Sequence, residues 1–283
     1  MSETLQKTRP IAGDEPRVIP RRHPGRWAAM VVVVLIVVAV IQWAAGNKNF
    51  QWPVVAKYLF NQQVVLGMWR TLMLTVIGEA IGIVLGVVLA LLRLSPNKVL
   101  SYAAGVYSWF FRGIPLLVQL LFLYFASAVL PTITIGSFSI STNTIISTPL
   151  VAAIIGLGLN EAAYMSEIVR SGLMSVSFGQ TEAAAALGMS NTKIMTRVVL
   201  PQAMRVIIPP TGNNTIGMLK NTALVILIGY PELMTTVSAI YAQNYQNIPL
   251  LMVACFWYLL LTSVLSIGQF FIERHYGKGF SRR

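Results

Sequence analysis

The sequence predicts an all-α integral membrane protein with six transmembrane helices. Of its 283 residues, 55% are hydrophobic and only 11% are charged. Six apolar runs, at 27–45, 68–92, 106–130, 149–169, 206–229 and 250–272, are long enough to cross a membrane. A hydrocarbon core of about 30 Å takes roughly 20 residues of helix.

Each run has its own signature. The first, 27–45, follows a basic tail at 1–26 and fills a whole span. Its only cleavage-like sequence, Ala44-Ala45-Gly46, is weak, so it reads as an additional, uncleaved helix rather than a signal peptide. In the second run Gly78, Gly82 and Gly86 repeat at a spacing that permits close helix packing, within one subunit or between two. Arg112 precedes Gly113-Ile114-Pro115 in the third, where proline removes a backbone donor and is expected to kink the span.

The fourth run carries Asn160 and Glu161 after Gly156 and Gly158. The fifth carries Pro209-Pro210, then Asn213, Asn214, Lys220 and Asn221, with Asn214 and Asn221 on one face. The sixth holds the single cysteine, Cys255; with His23 and His275 in opposite tails, no disulfide framework or intramolecular Cys/His zinc site is available.

Lys and Arg orient the spans, because cytoplasmic loops retain positive charge. Lys7, Arg9, Arg17, Arg21, Arg22 and Arg26 precede the first span, and Arg274, Lys278, Arg282 and Arg283 follow the last within the basic tail at 273–283. Both termini are therefore expected in the cytoplasm. Arg93 and Lys98 fall in the next inner loop, and Arg170, Lys193, Arg197 and Arg205 surround the polar stretch 180–202. The outer loops 131–148 and 230–248 contain neither Lys nor Arg. The net charge of +12 follows from this bias and from attraction to anionic lipid, not from nucleic acid.

The polar stretch reads as helix, turn, helix. Ser177 and Gln180 have capping-box spacing, Glu182 sits in the first turn, alanines 183–186 favour helix and Gly188 suits a left-handed stop. Ser190 or Asn191 is expected to cap a second helix, which Pro201 should end. A DNA-reading unit has this outline too, but the interval between the fourth and fifth spans leaves no room for a separate domain.

Glu182-Ala183-Ala184, Gly188, and Leu200-Pro201 fit the pattern E-A-A-x(3)-G-x(9)-I-x-L-P, with Val198 at the isoleucine position. The segment 177–201 thus resembles the EAA loop of ABC importer permeases. "FRGIPLLVQLLFLYF" (111–125), "NEAAYMSEIVRSGLMSVSFGQ" (160–180), "LPQAMRVIIPPTGNN" (200–214) and "LKNTALV" (219–225) resemble the polar amino acid group, the histidine and glutamine permeases. The likeness covers about 60–272 and implies a type I ABC importer transmembrane domain, here with an extra N-terminal helix.

The resemblance further implies a bacterial inner-membrane permease paired with itself or with a sister subunit. It implies two ATPase subunits docked on the EAA loops, an extracytoplasmic binding protein, and a polar amino acid as substrate. No G-x-x-x-x-G-K-[ST] phosphate loop occurs in the chain, so ATP and Mg belong on the partner ATPase. The chain itself is expected to be non-catalytic.

On this reading Glu182, Ala183, Ala184, Gly188, Leu200 and Pro201 couple to the ATPase. Ionisable groups inside a span are costly and usually face the interior or a wet cavity, so Arg112, Asn160, Glu161, Asn214, Lys220 and Asn221 are candidates for the substrate path or gate. Glu161 is placed to receive an α-ammonium or a basic side chain, and Lys220 to pair with Glu79 or Glu161. Glu167 and Arg170, one turn apart, form a candidate structural ion pair. The rivals are an ion-coupled secondary transporter or channel, which leaves the EAA pattern unexplained, and a membrane-tethered helix-turn-helix regulator.

Overall fold

A computed structural model describes residues 24–135, 138–141 and 148–276. The tail cations Lys7, Arg9, Arg17, Arg21, Arg22, Lys278, Arg282 and Arg283, on which the orientation of the termini rests, lie outside the described residues, as does His23. The chain divides into two compact units, Met1–Phe50 and Gln51–Arg283. In the first, helix α1 (Pro24–Gly46) has apolar residues all round and ends in a short 3-10 turn, where Phe50 packs edge-on against Trp43.

The second unit runs α2 (Trp52–Leu59), α3 (Gln62–Arg93), α4 (Lys98–Gly113), α5 (Leu116–Val129), a small antiparallel hairpin of β1 (Thr132–Ile135) and β2 (Phe138–Ser141), and α6 (Pro149–Met174). It continues with α7 (Phe178–Ala186), α8 (Asn191–Ile194), α9 (Leu200–Asn221), α10 (Leu233–Asn244) and α11 (Asn247–Tyr276). Apart from the hairpin the architecture is all-α.

By length and composition α1, α3, α6 and α11 each suffice to cross a membrane, and two bent pairs of helices bring the number to six. The bends correct two expectations. The run 106–130 is not one continuous helix but α4 and α5 meeting at 104°, because Gly113 and Pro115 leave the backbone extended at Ile114. The fifth run ends in a 3-10 segment, Thr222–Ile228, closed by Gly229 at φ 75°. The loop expected at 230–248 holds α10, which meets the preceding leg at 46°.

Helix α6 is the hub, packed against α3, α4, α5 and α9. Its seam with α3 is built on glycine. A Cβ on Gly82 would run into the Glu161 side chain and one on Gly86 into Met165, while Gly78 faces Leu157 and Met218. The three glycines therefore serve packing within the subunit. Three apolar clusters follow along α3, around Val64 and Leu233, Leu74 and Leu157, and Ala90 and Met165.

One buried charge was not foreseen. Glu232, fully buried, caps α10 by accepting from the backbone of Met234 and Thr235. It also accepts from the hydroxyls of Thr71 and Tyr258, at 3.1 and 2.9 Å, tying α3, α10 and α11 together at one point.

The seam predicts that Gly82→Leu lowers the melting temperature of the detergent-purified chain, at the cost of about 1–3 kcal/mol that overpacking a tight contact carries. An unchanged melting curve would show the contact to be loose.

Candidate functional site

The break between α4 and α5 organises the candidate site. Pro115 has no N–H to give the Phe111 carbonyl one turn back, and Ile114 supplies the last helical bond, to Phe110. The orphaned Phe111 oxygen instead accepts from Gln119 Nε2 at 2.7 Å and Asn160 Nδ2 at 3.0 Å. Gln119 Nε2 also reaches the Ile114 carbonyl at 2.7 Å, and its own Oε1 accepts from Asn160 at 3.3 Å. A carbonyl buried without a partner costs about 1–3 kcal/mol. Both amides are thereby committed to holding the break open.

Beside the break lies a cavity of about 500 Å³. Residues 112–116 form one wall, Asn160, Glu161 and Tyr164 of α6 a second, and Asn214 and Asn221 of α9 a third. Glu161 is 4% exposed and accepts a hydrogen bond from Asn214 Nδ2; the missing side chain of Gly82 leaves it room. Glu79 lies behind it and accepts from Thr215 Oγ1 at 2.9 Å.

Five of the six residues proposed for a path, Arg112, Asn160, Glu161, Asn214 and Asn221, thus meet around one cavity. Lys220 does not: it is exposed, and among the described residues it makes no ion pair with Glu79 or Glu161. Asn221 is exposed as well but lines the cavity; neighbours on a helix point about 100° apart, so the two side chains have different surroundings. Tyr164 and Gln119 were missed. Their signal was only positional: Tyr164 lies one turn from Glu161, and Gln119 four residues beyond Pro115.

Glu167 contacts Arg170 at 2.9 Å, and also Arg93 and Arg112, the latter at 3.4 Å. One carboxylate thus draws together three arginines from α3, α4 and α6. The Arg112 guanidinium lies 5.5 Å from the centre of the Tyr164 ring, which holds it at the rim of the cavity.

The EAA segment folds as a helical hairpin with two departures from expectation. Ser177 stands at the N-cap of α7, yet its side chain makes no capping bond; Ser190, before α8, makes none either. The stop at Gly188 is as expected: φ is 74°, and the amides of Gly188 and Met189 bond back to the carbonyls of Ala185 and Ala184, a Schellman closure. Pro201 does not end the second helix. Residues 195–199 form a π turn running directly into α9, with the Leu200 N–H bonded five residues back to Met195, and Pro201, which has no N–H to give, falls just after it.

Ala184 is buried against Ile194 and Val199, which closes the hairpin. Glu182, Ala183, Gly188, Leu200 and Pro201 are exposed. So are the apolar side chains of Phe178 and Leu187, and a groove of about 380 Å³ runs between α7 and α8 beside Glu182. An exposed apolar ridge on a rigid hairpin is the form of a docking surface.

Residues 82–278 match the family of binding-protein-dependent transport system inner membrane components, and the chain belongs to that family. Its members are permease subunits of ABC importers, embedded in the inner membrane, that work with a separate ATPase and a substrate-binding protein.

Among individual proteins, the chain is 44% identical to the arginine transport system permease protein ArgU of Corynebacterium glutamicum, over 93% of this chain and 84% of that one. It is 34% identical to the L-cystine transport system permease protein TcyB of Bacillus subtilis, over 83% and 91%. A solved amino acid ABC transporter with histidines superposes with a TM-score of 0.66 at 32% identity, covering 75% of this chain and 94% of that one.

Asn160→Leu is expected to destabilise the purified chain by about 1–3 kcal/mol, because it strips the Phe111 carbonyl of one donor inside the bundle. Unfolding in graded detergent denaturant checks this.

Proposed function

We propose that this permease imports a polar amino acid with a cationic side chain, and that the cavity at the α4–α5 break is where the substrate passes. The observation that carries the proposal is the pairing of a buried carboxylate, Glu161, with a guanidinium, Arg112, on the lining of one cavity. A zwitterion needs one group of each sign, and Asn214 and Asn221 add uncharged hydrogen-bonding capacity. The similarity to a permease named for arginine transport favours the same class. In this scheme Glu161 receives an ammonium or guanidinium, and Arg112 receives the carboxylate and gates the rim. Lys220, away from the cavity, is assigned to the exposed wall of α9.

The domain arrangement that goes with it has residues 60–272 as the transporting unit, 27–45 as an added span, and the tails 1–26 and 273–283 in the cytoplasm. Two permease copies, or this chain and a sister, flank the path, and two ATPase copies carrying ATP and Mg dock on residues 177–201. Glu182, Ala183, Gly188, Leu200 and Pro201 form the contact, and Ala184 holds the hairpin rigid behind it. Closure of the ATPase pair favours an outward-facing bundle only to the extent that the closed pair binds that state more strongly. Glu167, Arg93 and Arg170 form the structural link between the hairpin and the bundle.

Two measurements test these assignments. In vesicles containing the complete transporter, Glu161→Gln should raise the apparent KM for arginine about 10-fold or more, the loss of one charge-assisted contact being about 1.5–3 kcal/mol. Unchanged uptake would remove Glu161 from the path. Glu182→Lys and Gly188→Arg should leave membrane insertion intact while the ATPase no longer co-purifies; transport retained by both would sink the coupling assignment.

A further inference from the structure

A second and larger cavity, about 1010 Å³, opens where α3, α4 and α6 meet at the end of α6 that leads into the α7–α8 hairpin. It does not share lining with the substrate cavity. Its charged lining is entirely basic: Arg93, Lys98 and Arg170. Glu167 pairs with both arginines from behind and also with Arg112, so one carboxylate faces several cations and the groove keeps an excess of positive charge. Lys98 is exposed and makes no salt bridge among the described residues.

The rest of the groove is apolar and elongated. Lys98, Tyr102, Gly105 and Trp109 recur at spacings of three and four, so they share one face of α4. From Lys98 to Trp109 that face rises about 17 Å at the usual helical rise. Tyr102 and Trp109 are 77% and 74% exposed, and a Cβ on Gly105 would meet nothing within 4 Å, so the wall is open. The opposite face of α4, Ala104 and Ser108, is buried, and Ser108 bonds Ser166 of α6.

We propose that this groove binds an anionic phospholipid, with its phosphate on Lys98 and the free donors of Arg93 and Arg170 and one acyl chain along the Tyr102–Trp109 face of α4. The match is one of charge and shape together. A free anion needs the cations but not the apolar wall; a zwitterionic lipid needs the wall but gains little from excess charge. Basic pockets between helices, at the level where Trp and Tyr mark the membrane interface, recognise anionic headgroups.

The test is native mass spectrometry of the intact permease, purified with its partners in mild detergent and titrated with phosphatidylglycerol or phosphatidylcholine of matched chains. Phosphatidylglycerol should be retained preferentially. Lys98→Gln should weaken it about 5-fold, as removal of one surface cation worth about 1 kcal/mol implies, with Lys98→Arg restoring it. Gly105→Leu, which fills the wall without touching a charge, should weaken it as well. Equal retention of the two lipids, or binding insensitive to both Lys98→Gln and Gly105→Leu in variants that melt like the parent, would overturn the proposal. Displacement of phosphatidylglycerol by equimolar inorganic phosphate would replace it with a free-anion site. Cross-linking of Tyr102→Cys between permease copies, with no lipid retained, would replace it with an interface between subunits.

Discussion

The glycine seam between α3 and α6 is the constraint on which the rest of the bundle depends. Lipid tails are as apolar as leucine, so helices in a membrane gain little from hydrophobic contact and hold together by close packing and interhelical hydrogen bonds. Gly82 and Gly86 allow α3 to approach until the Glu161 and Met165 side chains occupy the space that a Cβ would fill. That approach shields a carboxylate deep in the bundle and turns it toward α9 rather than toward lipid. With α6 held there, the helices on its other sides, α4, α5 and α9, define the other walls of the cavity at the α4–α5 break.

The α4–α5 break converts this packed bundle into one with an opening. A proline in mid-helix exposes a carbonyl, and in a membrane such a group must find a partner inside the protein. Gln119 and Asn160 are those partners, so the polar residues near the cavity serve two ends. The amide nitrogens stabilise an irregular backbone, while Glu161 and Arg112 bring opposite charges to the space that the irregularity creates. Arg112 belongs to both networks, touching Glu167 and Tyr164 as well as the cavity. The cavity and the arginine cluster around Glu167 are thus physically contiguous.

Continuity also characterises the α7–α8 hairpin. The second helix of the hairpin passes through a π turn into α9 without a break. Displacement of the exposed ridge at Glu182 and Leu187 would therefore act on the helix that carries Asn214 and Asn221. A flexible loop at this position would absorb the movement. Ala184 packed on Ile194 and Val199 instead holds the two arms of the hairpin together.

Much of this was legible in the chain itself. Apolar runs of the length of a bilayer, charge segregated to alternate loops, and the spacing of Glu182, Gly188 and Pro201 are local properties, and local properties determined the spans, the hairpin and its Gly188 stop. Which polar residues of α9 reach the cavity was not local: Asn221 and Lys220 are adjacent and both exposed, and only the placement of α9 beside α6 and the α4–α5 break put Asn221 on the cavity lining and left Lys220 off it. Pro115 announced a kink but not a bend of 104°, because the angle depends on Gln119 and Asn160 accommodating the freed carbonyls. Nothing in the sequence marked Glu232, since its partners Thr71 and Tyr258 lie far away in the chain. Sequence by itself determined where the long apolar segments and the α7–α8 hairpin lie, because length, hydropathy and turn residues are local; tertiary structure decided where those segments bend and which polar groups meet, because the partners of a buried polar group come from other helices.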